Sequence, residues 1–228
     1  MTKDAILIDG FKHFSHTPEQ FPENEILEKT AAYLKFMDKR RSIRHFSDKL
    51  VPLEILENII KTASTAPSGA NKQPWTFCLI QSPKIKHKIR EAAEAEEEKS
   101  YAKRMNESWL KDLAPLGTNA DKPFLETAPY LIVVFKKPYE IDKNGEKRQN
   151  YYVNESVGMA CGLLIAAIHN AGLVTLTHTP SPMRFLEQIL ERPSNERAFL
   201  LLPVGYPAKE VYVPGILRKP LEKIYKLY

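Results

Sequence analysis

The strongest constraint on the fold comes from two apolar runs that lack polar alternation, "YLIVVF" at 130–135 and "AFLLLPVG" at 198–205. A strand with one face in water alternates apolar and polar residues, so these runs belong to strands covered on both faces, in the middle of a sheet. "WTFCLIQ" and "LVTLTHT" supply further strands. The stretch "NYYVNESVGMACGLLIAAIHNAG" reads as a long core helix stopped by Gly172, and its apolar part is too short to span a bilayer.

Other helices follow from the spacing of apolar residues. In "TPEQFPENEILEKTAAYLKFMDKR", Ile26, Leu27, Ala31, Leu34 and Met37 recur at helical intervals. In "VPLEILENIIKTAS", Pro52 suits a first turn, and Leu53, Leu56, Ile59, Ile60 and Ala63 form a buried face. "SPKIKHKIREAAEAEEEKSYAKRM" opens with a Ser cap and Pro83, and "MRFLEQILER" is the last helix. Helices outnumber strands and the order is irregular, which predicts an α+β class with one mixed central sheet flanked by helices. We find no internal repeat and read 1–228 as one domain with a helical segment over 1–39. The proline-punctuated, half-apolar tail over 207–228 reads as an arm laid across a second copy, so a homodimer is expected.

A net charge of +5 suits a small anionic ligand better than a nucleic-acid groove, and no basic block interleaved with aromatics is present. Cys78 and Cys161 lie in apolar contexts and read as free buried thiols. His87, His169 and His178 lack metal-ligand spacing, so no metal is expected. "MTKDAILIDG" lacks the pattern of a signal peptide, and a cytoplasmic, membrane-free protein is the expectation.

"DKRRSIRHF" crowds Arg40, Arg41 and Arg44 around Ser42. Guanidiniums this close repel unless a multiply charged anion sits among them, and a phosphate monoester matches their planar forks. Taken alone, such a cluster is more often a solvated turn. "TAPSGANKQPW" adds a polar loop in which Gly69 and Ala70 allow close backbone approach, "TLTHTP" ends a strand in hydroxyls, and "LRKP" supplies Arg218. Neither G-x-G-x-x-G nor a P-loop is present.

In this order and spacing, "RRSIRHF", "APSGANKQPW", "NESVGMACGLLIAAIHNAGL", "LPVGYP" and "RKPL" resemble the FMN-dependent nitroreductase superfamily, from about Arg40 to Lys223. The resemblance implies FMN bound at a dimer interface. Arg40, Arg41 and Ser42 would lie at its phosphate and ribityl chain, with Arg218 joining at the phosphate and Arg44 at the pyrimidine edge. Pro67, Ser68 and Gly69 would line the cofactor, with Thr177, His178, Thr179 and Pro180 along its N5 edge.

The helix in "EAEEEKSYAKRM" carries Glu94, Glu96, Glu97 and Glu98, and like charges four apart weaken a helix by roughly 0.2–0.5 kcal/mol. Glu97 and Tyr101 share a face, and Lys122 follows. A solvated acidic face is the plain alternative. Carboxylate, phenol and ammonium together nevertheless complement an amino-acid zwitterion, and a helix weakened by self-repulsion would serve as a lid over 91–125. The Glu-x-x-x-Tyr pattern with Lys122 is similar to the halotyrosine-reducing branch of the superfamily. That similarity implies reductive dehalogenation of iodo- and diiodotyrosine. Glu97, Tyr101 and Lys122 would bind the zwitterion, and the Ala70 N–H the phenolate. Thr179 would donate to N5 as the catalytic hydroxyl, favouring single-electron steps. The reductant is unidentified. Two alternatives stand: a broad nitro- or quinone reductase using NAD(P)H (hence NADP), and a flavin- or iodotyrosine-binding protein without turnover.

Overall fold

A computed structural model describes residues 5–228, and the chain divides after Arg40 into two units. In the first, β1 (Ala5–Ile8) and β2 (Phe11–Phe14) form an antiparallel hairpin, followed by α1 (Glu23–Asp38). Asp9 and Gly10 both take positive φ, 52° and 83°, as the tight turn between twisted strands requires. The hairpin was not anticipated, because "AILIDGFKHF" has apolar residues on both faces and so lacks the expected alternation. Helix α1 forms as expected, but none of its residues is buried, and Ile26, Leu27 and Leu34 stay exposed.

The second unit, Arg41–Tyr228, contains the remaining elements. These are α2 (Leu53–Ala63), β3 (Trp75–Ile80), α3 (Pro83–Lys99), α4 (Glu107–Leu113), α5 (Phe124–Thr127) and β4 (Tyr130–Lys136). A short hairpin, β5 (Tyr139–Ile141) and β6 (Lys147–Gln149), precedes α6 (Val153–Asn170). β7 (Val174–Thr175), α7 (Arg184–Ile189) and β8 (Arg197–Gly205) complete the set. The central sheet runs β3-β4-β8-β7 with antiparallel ladders, and among the described residues its parallel component is the bridge Ser42–Thr175.

Strand β4 shows why its sequence does not alternate. Ile132 and Val134 point into a cluster with Leu56, Ile59, Leu164 and Ile168 from α2 and α6. Leu131, Val133 and Phe135 point the other way, against Ile89, Leu125 and Leu186 from α3, α5 and α7. Both faces are dry, so every position is apolar. Opposite it, Leu202 and Leu201 of β8 divide between the same two clusters.

The acidic stretch of α3 is compensated rather than self-repelling. Glu94 Oε1 accepts from Arg90 Nε at 2.7 Å and from the Lys122 backbone N–H at 2.6 Å. Glu96 pairs with Lys99 and Arg104, both at 2.8 Å, and Glu97 faces Lys122 at 3.5 Å. These pairs offset the expected repulsion at Glu94, Glu96 and Glu97, because their cations come from three or four residues away and from beyond the helix. Helix α3 runs through Lys99 and passes into a π-helical turn over Ser100–Arg104.

The "LVTLTHT" strand is shorter than expected. β7 covers only Val174 and Thr175, and the segment touches β8 again at the His178–Leu201 bridge. Beyond β8 the tail has one 3-10 turn, Leu221–Lys223, and Leu217 is 97% exposed.

Gly205, at the end of β8, sits against Pro129: a Cβ there would lie 2.5 Å from Pro129 Cδ. A proline ring fixed to the backbone has little room to yield, so Gly205→Ala is expected to lose about 1–3 kcal/mol of stability. Urea unfolding checks this, with a lowered midpoint as the expected result.

Candidate active site

A cavity of about 350 Å³ opens beside the sheet. Its polar wall includes Arg44, Glu97, Tyr101, Lys122, Thr177 and Thr179. Met105, Trp109, Leu113 and Leu116, from the segment around α4, form its apolar side. The fold brings these groups together from four places: the chain entering the sheet at Ser42, the end of α3, the segment before α5, and the strand end after β7.

Lys122 is the most constrained of them. Its side chain is 3% exposed, yet it carries an ammonium whose Nζ donates to Thr118 Oγ1 at 3.3 Å and to the Asn119 carbonyl. Burial lowers its pKa from the usual lysine range, against the opposing pull of Glu97. The Glu97–Lys122 separation of 3.5 Å is longer than the 2.7–2.9 Å of a tight charge-assisted bond, leaving both groups capacity for a further partner. Tyr101 lies below Lys122, 5.8 Å from ring centroid to Nζ, and its hydroxyl donates to the Thr118 carbonyl at 3.2 Å. The expected trio of carboxylate, phenol and ammonium thus converges on one wall.

Arg44 is half-buried, with its pKa lowered by burial, and its Nε is a buried donor without an acceptor among the described residues. Such a group costs free energy unless a ligand or water accepts from it. Ser42 is held beside Thr175 by the parallel bridge and by the Ile43 N–H on the Thr175 carbonyl at 3.1 Å. Thr177 and Thr179 are exposed and His178 is buried, and all three line the cavity. His178 packs edge-on against Phe124 at 5.8 Å, and its buried Nε2 has no hydrogen-bond partner among the described residues. Burial, with Lys122 and Arg44 nearby, pushes its pKa down to about 3. It is therefore a neutral imidazole that lines the cavity together with the two threonines.

Other expected residues lie outside this cavity. Arg41 donates through Nη2 to the Pro214 carbonyl, tying the chain to its tail. Arg40 closes the first unit, its N–H on the Met37 carbonyl at 3.1 Å. Arg218 is exposed in the tail. The Pro67–Ala70 loop packs on the start of α6: the Gly69 N–H donates to Ser156 Oγ at 3.3 Å, and a Cβ on Gly69 would meet the Tyr151 carbonyl at 2.8 Å. Ala70 takes a left-handed φ of 49°. Neither this loop nor Pro180 lines the cavity.

The apolar wall was missed from the sequence. Its one signal was "MNESW", where Asn106 caps α4 by accepting from the Trp109 N–H at 2.8 Å.

The chain belongs to the nitroreductase family, whose sequence profile matches residues 37–206. It is 60% identical over 209 residues to an iodotyrosine deiodinase of Haliscomenobacter hydrossis, covering 92% of this chain and 94% of that one. Over 219 residues it is 46% identical to human iodotyrosine deiodinase 1, covering 95% of this chain and 75% of that protein. A crystal structure of oxidized iodotyrosine deiodinase bound to FMN and 3-iodo-L-tyrosine matches with a TM-score of 0.71 at 33% identity, over 82% of this chain and 95% of that one.

The environment of His178 has a consequence for stability. Its pKa falls from the model-peptide range near 6.5 to about 3 on folding, so the unfolded chain binds the proton first and stability is lost as pH falls between those values. The loss is up to about 1.4 kcal/mol per pH unit. His178→Phe is expected to flatten the acid limb of stability against pH between about 6 and 4, measured by urea unfolding.

Proposed function

We propose that this chain is an FMN-dependent oxidoreductase that reductively dehalogenates halotyrosines. The observation that carries the reading is the wall on which Glu97, Tyr101 and Lys122 meet, in a chain closely similar to iodotyrosine deiodinases. The overall change is replacement of the carbon–halogen bond by carbon–hydrogen, with two electrons and one proton consumed and halide released.

The residues fit a flavin. The unsatisfied Arg44 Nε is a buried cationic donor suited to a heteroatom-rich edge, and Ser42 offers a hydroxyl beside it. Arg41, Arg40 and Arg218 would hold the phosphate end, and Pro67, Ser68 and Gly69, with Thr177 and Pro180, would border the ring. Bound FMN supplies the electrons. Thr179 would donate its hydroxyl to N5 and favour single-electron transfer, with His178 beside it as a neutral group in the cavity wall.

Glu97 accepts the substrate's ammonium, and Lys122 and Tyr101 donate to its carboxylate, each exchanging a weak internal contact for a charge-assisted one. The Ala70 N–H, in a left-handed turn, would serve the phenolate. The segment 91–125 then acts as a lid whose apolar residues, Met105, Trp109 and Leu113, exclude water. No helix among the described residues is long and apolar enough to cross a membrane. Cytoplasmic residence suits the free thiols Cys78 and Cys161.

The Pro67–Ala70 loop lies apart from the cavity, so a second copy is the natural source of the missing wall. A stripe on α6 carries the means: Met159 is 45% exposed and Leu163 36%, beside Gly158 and Gly162, which have open space around them. The tail adds Ile216, Leu217 and Ile224. We infer a homodimer with shared sites and an exchanged C-terminal arm. Leu163→Glu is expected to give a monomer by light scattering that retains far less flavin than wild type. A monomeric wild type carrying full flavin would contradict it.

The direct test is chemical. The flavin-loaded protein, reduced with dithionite, should convert diiodotyrosine to tyrosine and iodide. Glu97→Gln and Lys122→Ala should each weaken halotyrosine binding by about ten- to a hundredfold, the value of a charge-assisted bond, while leaving flavin content intact. Turnover of nitroaromatics with no response to either substitution would favour a general reductase, and binding without iodide release a non-catalytic protein.

A further inference from the structure

One side chain joins the π-helical turn to the strand end that carries Thr179. Arg104 Nη1 donates to Glu96 Oε2 at 2.8 Å and to the Ser181 carbonyl at 2.9 Å. Ser100 Oγ lies within 3.5 Å of the same nitrogen and itself donates to the Glu96 carbonyl at 2.9 Å. Glu96 is anchored on α3, with its carboxyl held below the usual range by the Lys99 and Arg104 hydrogen bonds. Ser181 lies two residues beyond Thr179, in a segment held to the sheet nearby by the His178–Leu201 bridge.

The π turn sets up this division of labour. Its defining bond runs from the Met105 N–H to the Ser100 carbonyl at 2.9 Å, five residues back, which inserts one residue into the helix. Tyr101 enters the cavity with its hydroxyl on Thr118, while Arg104, three residues on, leaves toward Ser181. The turn that presents the zwitterion-binding phenol is therefore the one that grips the strand end.

We propose that Arg104 is a positioning residue that couples the segment over the cavity to the Thr177–Pro180 strand end, so that ordering one by a halotyrosine orders the other. This rests on the function proposed above. An exposed ion pair contributes little by itself, and the Ser181 carbonyl without Arg104 would turn to water at small cost. What is lost with Arg104 is the tether between two segments that must be placed together when the substrate binds. Ligand affinity should therefore suffer more than global stability does.

The test compares FMN-loaded wild type, Arg104→Met, Arg104→Lys and Glu96→Gln. Their affinity for 3-iodotyrosine is measured by titration, and amide hydrogen exchange by mass spectrometry over 96–122, 177–183, β4 and β8. Arg104→Met is expected to raise the Kd about tenfold, and iodotyrosine should no longer slow exchange over 177–183, with β4 and β8 unchanged. Arg104→Lys should recover to within about threefold of wild type. Glu96→Gln, which keeps the Ser181 bond, should cost less than Arg104→Met. A Kd for Arg104→Met within twofold of wild type, with normal slowing over 177–183, would overturn the coupling. So would equal loosening of β4 and β8, which marks a general structural role. If wild type binds no iodotyrosine, the proposed function fails on its own. The tether is then judged without ligand: faster exchange over 177–183 in Arg104→Met supports it, and unchanged exchange refutes it.

Discussion

Strand β4 is dry on both faces, and the rest of the second unit is arranged to keep it so. Its six buried residues from Tyr130 to Phe135 send alternate side chains to opposite clusters, which requires α2 and α6 on one side and α3, α5 and α7 on the other. Because β3 and β8 flank it in antiparallel register, the helices have fixed places to dock. The cavity forms where this order ends, between the finish of α3 and the strand end after β7, where side chains no longer have a covered surface to fill. A rigid sheet carrying a site on its margins gives precision to groups that lie on irregular backbone.

Within that margin the costly element is a buried ammonium. Lys122 is nearly as inaccessible as the core leucines, and a charge so placed persists only when surrounded by acceptors. Glu97, Thr118 and the Asn119 carbonyl provide them, and Glu94 fixes the backbone of the same residue through its N–H. The acidic end of α3 is thus divided among tasks. Glu94 and Glu96 fasten the following segment through Lys122 and Arg104, leaving Glu97 to face the cavity. Neighbouring cations, some local and some distant in sequence, turn an apparent liability into a set of attachments.

The arginines that opened the question of function are spread over different tasks. Arg44 enters the cavity with an unsatisfied Nε, whereas Arg41 reaches the tail at Pro214. The stripe on α6 and much of the tail are exposed, and the loop at Gly69 packs on α6 away from the cavity. Their apolar or ligand-ready character is the physical ground for reading the site as shared.

By itself the sequence determined the strands around "YLIVVF" and "AFLLLPVG", the core helix ending at Gly172 and the α+β class, because burial on two faces and helical periodicity leave direct marks in residue type. It also determined the spacing of Glu97, Tyr101 and Lys122, whose convergence the fold then displays. Only the tertiary structure decided the rest. It showed that Glu94 and Glu96 are paired with cations three to eight residues away and that Glu94 also takes a backbone N–H from 28 residues away, that no residue of α1 is buried, and that His178 is buried while Thr177 and Thr179 beside it are exposed. It also supplied the apolar wall at Met105 and Trp109 and the Arg104–Ser181 contact across 77 residues. Such facts depend on which distant groups share a place, and local pattern carries no record of that: a charge looks the same in sequence whether its partner is water or a buried neighbour.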